Sequence, residues 1–446
     1  MRAAGWSLAG HGLSQVIKLG SNLVLTRLLA PELYGVMAIG YVVLTGLGMF
    51  SDIGLNAGAI RSQRGDEPTF LNVGWIVQFG RGVVIMLAAL FFSGALKVAA
   101  LNGWVPEHSV YANPVLPLLI AVVSSQSLIE SCESTKVWWA RRHMQLAPLI
   151  KIELASQVAT TIVMIVWALL SPSVWTLAGG WIFGALLKAV LTHAVLPGPP
   201  NRLEWDPQAF REIVQFGKWV FLSSSFFFLL SAADRILLGG MLTSQTMGFY
   251  SVAFTLVSVV QVAVQRIAGS VVLPALGEVF RTGPEQLKQT FYRIRRPMDL
   301  ACLVPAGALV VLGEPVVHLL YDPRYAPAGW MLSVLAVTLV ATRMTVFDQC
   351  LIAMGRVKGL SLLNAIRLVI VYSTIPLGYL VYGMQGAIMA VAISSLLNSL
   401  AVLVFQGRLH LLDVQRELLA FPMFAAGLLG GWILAQLIEF VRKLAA

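Results

Sequence analysis

His11, Gln15, Lys18 and Asn22 recur at i, i+4, i+7 and i+11, a spacing that places all four on one face of a helix. Tyr41, Thr45 and Asp52 form a similar stripe, and Ser251, Thr255, Ser258 and Gln265 form another. Arg81, Arg343 and Arg367 interrupt long apolar runs, Arg235 follows Asp234 directly, and Arg266 and Asp348 complete the set. Cations dominate it, with Lys18, Arg81, Arg235, Arg266, Arg343 and Arg367 set against Asp52, Asp234 and Asp348. The chemistry expected of such a lining is recognition of an anion. A guanidinium offers a planar fork to phosphate oxygens, whereas a site for small cations would concentrate carboxylates. Catalysis has no comparable signature. The chain shows no phosphate-cradling loop, no Gly-x-Ser-x-Gly elbow and no paired metal-ligand spacing, so neither metal nor cofactor is expected. Cys132, Cys302 and Cys350 are isolated in or at the ends of apolar segments and frame no disulfide.

The elements that must hold these residues are membrane helices. Hydrophobic residues make up 58% of the chain and charged ones 12%, against about 45–50% and about 25% in soluble domains. The mean hydropathy is +0.80. About 20 apolar residues cross a bilayer. On that basis segments are expected near 4–28, 34–56, 71–96, 113–133, 146–170, 173–195, 215–240, 247–272, 299–320, 329–352, 359–381, 387–406 and 419–440. The last is the weakest reading because of Gly427, Gly430 and Gly431. The first carries His11 and Lys18 and no small-residue cleavage site, so it reads as a retained helix rather than a signal peptide.

Basic residues between the segments alternate in number. One side, with the N-terminus, carries 17 Lys or Arg residues, from Arg2 and Arg61 through Arg295 and Arg296 to Arg416. The other side carries Lys97, Arg324, Arg442 and Lys443. Positive charge accumulates on cytoplasmic loops, so the N-terminus is expected in the cytoplasm of a bacterial cell and the chain in its inner membrane. The net charge of +10 then follows from topology and contact with anionic membrane lipids, with no call for nucleic acid.

Ten Lys or Arg residues fall inside the segments, and each would cost about 2.5–3.5 kcal/mol at the bilayer centre. Lys151, Lys188 and Lys218 are near enough to the cytoplasmic surface to snorkel. Arg27 and Arg266, close to helix ends, fit snorkelling and a polar cavity equally well. Lys18, Arg81, Arg235, Arg343 and Arg367 point to a water-filled cavity or to pairing between helices.

An offset of 213 residues repeats the pattern. Trp6 meets Trp219, Leu29 meets Leu242, Gly35 meets Gly248, and the stripe of the first helix meets Ser224, Ser231 and Arg235. The fold expected is all-α, with about 12–14 transmembrane helices in two pseudo-symmetric six-helix lobes around a central cavity. Residues 1–196 would form the first lobe and 197–406 the second, with 407–446 a basic linker and an additional hydrophobic helix. Parallel repeats of this kind place substrate at their interface and move it by alternating access.

Arg27-Leu-Leu-Ala-Pro-Glu-Leu-Tyr-Gly35 resembles the R-L-L-x-P-x-x-Y/F-G signature of polysaccharide-transporter flippases. Ser51-Asp-Ile-Gly-Leu55 resembles their D-x-G-L motif, and Asp234-Arg235 and Tyr321-Asp-Pro-Arg324 are also similar to that group. The family is that of the Wzx-type oligosaccharide flippases, in the multidrug/oligosaccharidyl-lipid/polysaccharide exporter superfamily. The resemblance implies export of undecaprenyl-pyrophosphate-linked oligosaccharide units for O-antigen, capsule or exopolysaccharide synthesis. It also implies polymerases and glycosyltransferases of the same pathway as partners. Two alternatives stay open: a cation-coupled multidrug antiporter of the same superfamily, and a membrane polysaccharide polymerase or ligase. The latter class needs a large outer loop, and the longest outer loop expected, around 97–112, is short.

Overall fold

A computed structural model describes the backbone of residues 2–445 and their side chains, apart from those of residues 2–9, 11, 216, 219, 222, 284 and 441–445. His11, Trp6 and Trp219 therefore lie outside the described side chains. The chain divides into two compact units, 1–245 and 246–446, whereas the sequence pattern sets the lobe boundary at 196.

In the first unit, α1 (Arg2–Leu28) and α2 (Pro31–Met49) meet at a turn around fully buried Leu29. Pro31 opens α2, where its missing N–H is no loss because the first turn of a helix leaves such donors unpaired. A short α3 (Leu55–Arg61) precedes α4 (Pro68–Leu101). The fourth apolar segment is broken into α5 (Val115–Val123) and α6 (Ser125–Ser131), and α7 (Lys136–Arg142) turns from their line by 58°. Two straight spans follow, α8 (Leu146–Leu170) and α9 (Val174–Ala194), and then α10 (Pro207–Ser231) and α11 (Ala233–Gly239). Asp206 caps α10 by accepting from the Gln208 N–H at 2.9 Å. Small residues set the packing distance. A Cβ on Gly46 of α2 would stand 2.6 Å from the Phe228 ring of α10, so these two helices touch backbone to ring.

The second unit begins within the first turn of α12 (Ser244–Ile267), which runs through a π-helical stretch, Ala268–Val272, into α13 (Leu273–Thr282). The first residue of α12, Ser244, lies 213 residues beyond Pro31, and buried Leu242 occupies the turn as Leu29 does, so the sequence repeat is a repeat of elements. Next come α14 (Leu287–Leu320), α15 (Ala328–Ala336), α16 (Thr338–Thr342) and α17 (Thr345–Ala353). The 52-residue α18 (Val357–Arg408) holds two of the expected segments, separated by a kink at Tyr382 and Gly383, where Gly383 has φ +60°. A residue without Cβ adopts that φ at little cost. The short α19 (Val414–Leu418) leads into α20 (Phe421–Ala445).

Gly427 and Gly431, one turn apart, let α20 lie directly on α14. A Cβ on Gly427 would strike the carbonyl of Val304, and one on Gly307 would strike that of Phe424. The glycines that weaken the hydropathy of this segment are the contact that holds it.

All thirteen apolar segments fall on helix, and the described residues contain no strand. Nine spans among the described residues are long and apolar enough to cross a membrane, or ten with the bent α5–α7 set, and α18 counts once among them. The chain is an all-α, multi-pass membrane protein.

Candidate functional site

The Ser51–Leu55 motif is a turn with a mechanical role. Asp52 Oδ1 accepts from the Gly54 N–H at 2.8 Å, and Gly54 takes the left-handed conformation (φ +62°) that starts α3. Arg81 on α4 holds the same turn, donating from Nε to Ser51 Oγ at 3.1 Å and from a terminal nitrogen to the Gly48 carbonyl at 2.6 Å. The other Asp52 oxygen accepts from Ser224 Oγ of α10 at 3.2 Å. Arg81 and Asp52 are thus brought to one turn, each with partners inside the first unit.

The α1 stripe is placed differently. Gly10 and Ser14 face α8: Ser14 Oγ donates to Gln157 Oε1 at 2.8 Å and Gln157 Nε2 donates to the Ser14 carbonyl at 2.9 Å. Gln15 and Asn22 are half-buried and Lys18 is exposed. Lys18 has no hydrogen-bond or ion-pair partner among the described residues. Arg235 and Asp234 at the start of α11 stand 3.7 Å apart, and Arg235 also donates to the Ser231 carbonyl at 2.8 Å.

In the second unit, Ser251, Thr255 and Ser258 each donate to a carbonyl of their own helix at 2.7 Å, so this stripe is partly absorbed locally. Gln265 and Arg266 are exposed at the end of α12. Arg367 and Asp348 form a two-pronged pair, 2.9 Å at each prong, with Asn364 accepting a further bond at 3.1 Å. Guanidinium and carboxylate are matched in shape as well as charge.

Arg343 lies in a buried cluster that only the tertiary structure assembles. Arg295 (1% exposed) donates both terminal nitrogens to Glu417, at 2.5 and 2.8 Å. Arg343 reaches the same carboxylate at 3.2 Å, and Asp299 lies 3.5 Å from both guanidiniums. Tyr292 and Gln406 complete the network. Two cations and two anions balance, which is the condition for keeping ions out of water. The loop count placed Arg295 in the cytoplasm. A sign of the cluster was available in the i, i+4 spacing of Arg295 and Asp299 before an apolar run. Glu417, more than a hundred residues away, gave none.

The basic loops of the first unit also have partners. Arg142 holds three carbonyls (Ala59, Ile60 and Ser62) and Asp66. Arg64 pairs with Asp206 at 2.7 Å, and Glu204 accepts from Thr69 and Asn72 at 2.8 and 2.9 Å. These hydrogen bonds hold the Asp206 and Glu204 carboxyls below their ordinary pKa and raise that of Arg64. Lys188, expected to snorkel, meets Glu133 at 2.8 Å. Among the described residues no three His, Cys, Asp or Glu side chains converge to hold a metal ion.

The sequence pattern of a family described as "polysaccharide biosynthesis protein" matches residues 24–329. The succinoglycan biosynthesis transport protein ExoT of Rhizobium meliloti (strain 1021) is 22% identical over 337 residues, 76% of this chain. The match spans 65% of the length of that relative. Among solved structures, an inward closed conformation of the lipid II flippase MurJ superposes with a TM-score of 0.70 at 11% identity, covering 99% of both chains. An inward-facing multidrug resistance MATE family transporter of the MOP superfamily gives 0.69 at 15% identity, over 89% of this chain and 94% of the other. At such identities the likeness is one of fold.

Proposed function

Because the chain belongs to the polysaccharide biosynthesis protein family, whose pattern covers residues 24–329, we propose that it is a flippase for lipid-linked oligosaccharides. Its cargo would be an undecaprenyl-pyrophosphate-linked repeat unit, moved from the cytoplasmic to the periplasmic leaflet of the inner membrane by alternating access. The N-terminus would be cytoplasmic, as the distribution of 17 against four basic residues outside the apolar segments of the sequence supports. By analogy, the transport reading is further supported by ExoT, a biosynthesis transport protein, and by MurJ, a flippase.

The observation that carries the reading is Lys18. A cation in the middle of a membrane helix is costly unless it is paired or faces water, and this one is exposed and unpaired among the described residues. It shares its face with His11, Gln15 and Asn22. His11, Gln15, Lys18, Asn22 and Arg235 are the cargo contacts proposed in the first unit, and Gln265 and Arg266 those proposed in the second. Asp52, Arg81 and Asp234 in the first unit and Arg343, Asp348 and Arg367 in the second are engaged with protein partners, and their proposed role is to support the helices rather than to touch cargo.

Disruption of the protein is expected to leave surface glycan repeat units accumulating on lipid carrier inside the cell, measured by mass spectrometry of extracted lipids. Lys18→Ala is expected to lower export severalfold at normal membrane abundance, while Lys151→Ala, at the exposed end of α8, changes little. Unchanged surface glycan together with altered drug sensitivity would overturn the proposal in favour of a drug or cation antiporter.

A further inference from the structure

Beside the buried cluster of the second unit lies a cavity of about 440 Å³ between the first turns of α14 and the segment that enters α20. Its polar wall carries Arg293, Arg296 and Arg416, with Tyr292 and Asp299 behind them. Arg293 and Arg296 are exposed and have no hydrogen-bond or ion-pair partner among the described residues. Arg416 lies over the Tyr292 ring at 5.3 Å and spends its Nε on Asp413 at 3.2 Å, which leaves its terminal nitrogens for a ligand. Asp299 is not a free anion here, because Arg295 and Arg343 neutralise it from the buried side. Five guanidiniums (Arg293, Arg295, Arg296, Arg343 and Arg416) face three carboxylates (Asp299, Asp413 and Glu417), so two positive charges are unmatched.

The opposite wall is apolar, formed by Leu419, Ala420 and Met423. Leu419 in this wall is 69% exposed, so the wall presents hydrocarbon at the protein surface. A ligand that satisfies both walls has a phosphate at one end and hydrocarbon at the other. We propose that this cavity binds the phosphate of an anionic membrane lipid, held by Arg293, Arg296 and Arg416. Basic pockets between transmembrane helices suit such headgroups, and Arg matches phosphate oxygens in pairs. The fully buried neighbours serve the site by positioning: Glu417 locks Arg295 and Arg343 so that Asp299 stays compensated.

The inference requires only that the chain spans the membrane, so its test is separate from that of export. The purified full-length protein is titrated by native mass spectrometry with phosphatidylglycerol, with a polyprenyl pyrophosphate and with inorganic pyrophosphate, using phosphatidylcholine as the neutral reference. Each arginine near an anionic headgroup is worth about fivefold in affinity, or about 1 kcal/mol. Arg293→Ala with Arg296→Ala is therefore expected to weaken lipid binding about 25-fold, with phosphatidylcholine retention and thermal melting unchanged. Neither side chain has an internal partner, so folding is not at stake, and Lys151→Ala serves as the remote control. Loss of phosphatidylglycerol binding in the double variant identifies a bulk-lipid site, and loss confined to the polyprenyl pyrophosphate identifies a docking point for lipid-linked cargo. Equal affinities in parent and double variant, or binding of inorganic pyrophosphate but of neither anionic lipid, would overturn the proposal.

Discussion

Glu204 and Glu417 stand 213 residues apart, the spacing of the internal repeat, and each ties the linker after a sixth span to the third span of its own half. Glu204 does so in the open, accepting from Thr69 and Asn72 at the start of α4. Glu417 does so buried, gripped by Arg295 and Arg343 and touched by Tyr292 of α14. One position in the repeat has thus acquired two energetic characters. Water screens and competes for the first carboxylate, so its bonds organise the linker without carrying much stability. The second has no water to fall back on, and everything depends on its partners being present. A second contrast lies at the end of the second span. Gly54 breaks the chain into a left-handed turn (φ +62°), whereas Ile267 at the same offset stays helical (φ −61°) and the chain runs on through the π-helical stretch.

The largest effect expected is at Glu417. Its replacement by Gln leaves two buried guanidiniums facing one carboxylate, at a cost of about 3–5 kcal/mol. The thermal midpoint of the detergent-solubilised protein should fall accordingly, with protease cleavage appearing first in the segment 409–420. Replacing the pair together, Arg295→Met with Glu417→Leu, leaves Arg343 with Asp299 and should recover most of the loss. If the double variant is as unstable as Glu417→Gln, the cluster does more than balance charge, and the contrast with Glu204 is misdrawn.

Gly54→Ala comes next. An L side chain in the left-handed region costs about 1–2 kcal/mol, so α3 should loosen and Arg81 lose its fixed target at Ser51. Ile267→Ala is the matching change in the other half and should leave the backbone undisturbed, since the helix there needs no special φ. Hydrogen exchange of residues 50–61 and 263–274 distinguishes the two. Equal protection changes in both windows would mean that the turn is not what sets the halves apart.

The smallest effect belongs to Glu204 and Asp206, whose pKa values are held down by Thr69, Asn72 and Arg64. A depressed carboxyl contributes stability above its unfolded pKa and loses it as pH falls through the folded one. The linker should therefore be tied at neutral pH and released only below the ordinary carboxylate range, about pH 4. Glu204→Gln should leave the melting midpoint within scatter while raising exchange of the amides at 201–206. A large fall in the midpoint would show that the exposed clamp is as important as the buried one.

Apolar run length, loop charge and the 213-residue offset come from composition and spacing alone, and they were enough for a thirteen-segment all-α membrane chain. The bilayer is responsible for that legibility, because it forces every backbone polar group to be satisfied within its own helix. The D-x-G-L motif was also readable as a unit, since an Asp, a Gly two residues later and the turn between them are local. What each charge meets was not. Arg81, Arg343 and Arg367 look alike in the sequence, yet one holds a turn, one closes a buried quartet and one pairs with a single carboxylate. Gly427 looks like a weak point in the last helix until Val304 is placed against it. Whether a buried charge is neutralised, and whether a glycine is a gap or a contact, depends on atoms brought together from distant parts of the chain. No local pattern encodes that proximity, so the tertiary structure alone decided it.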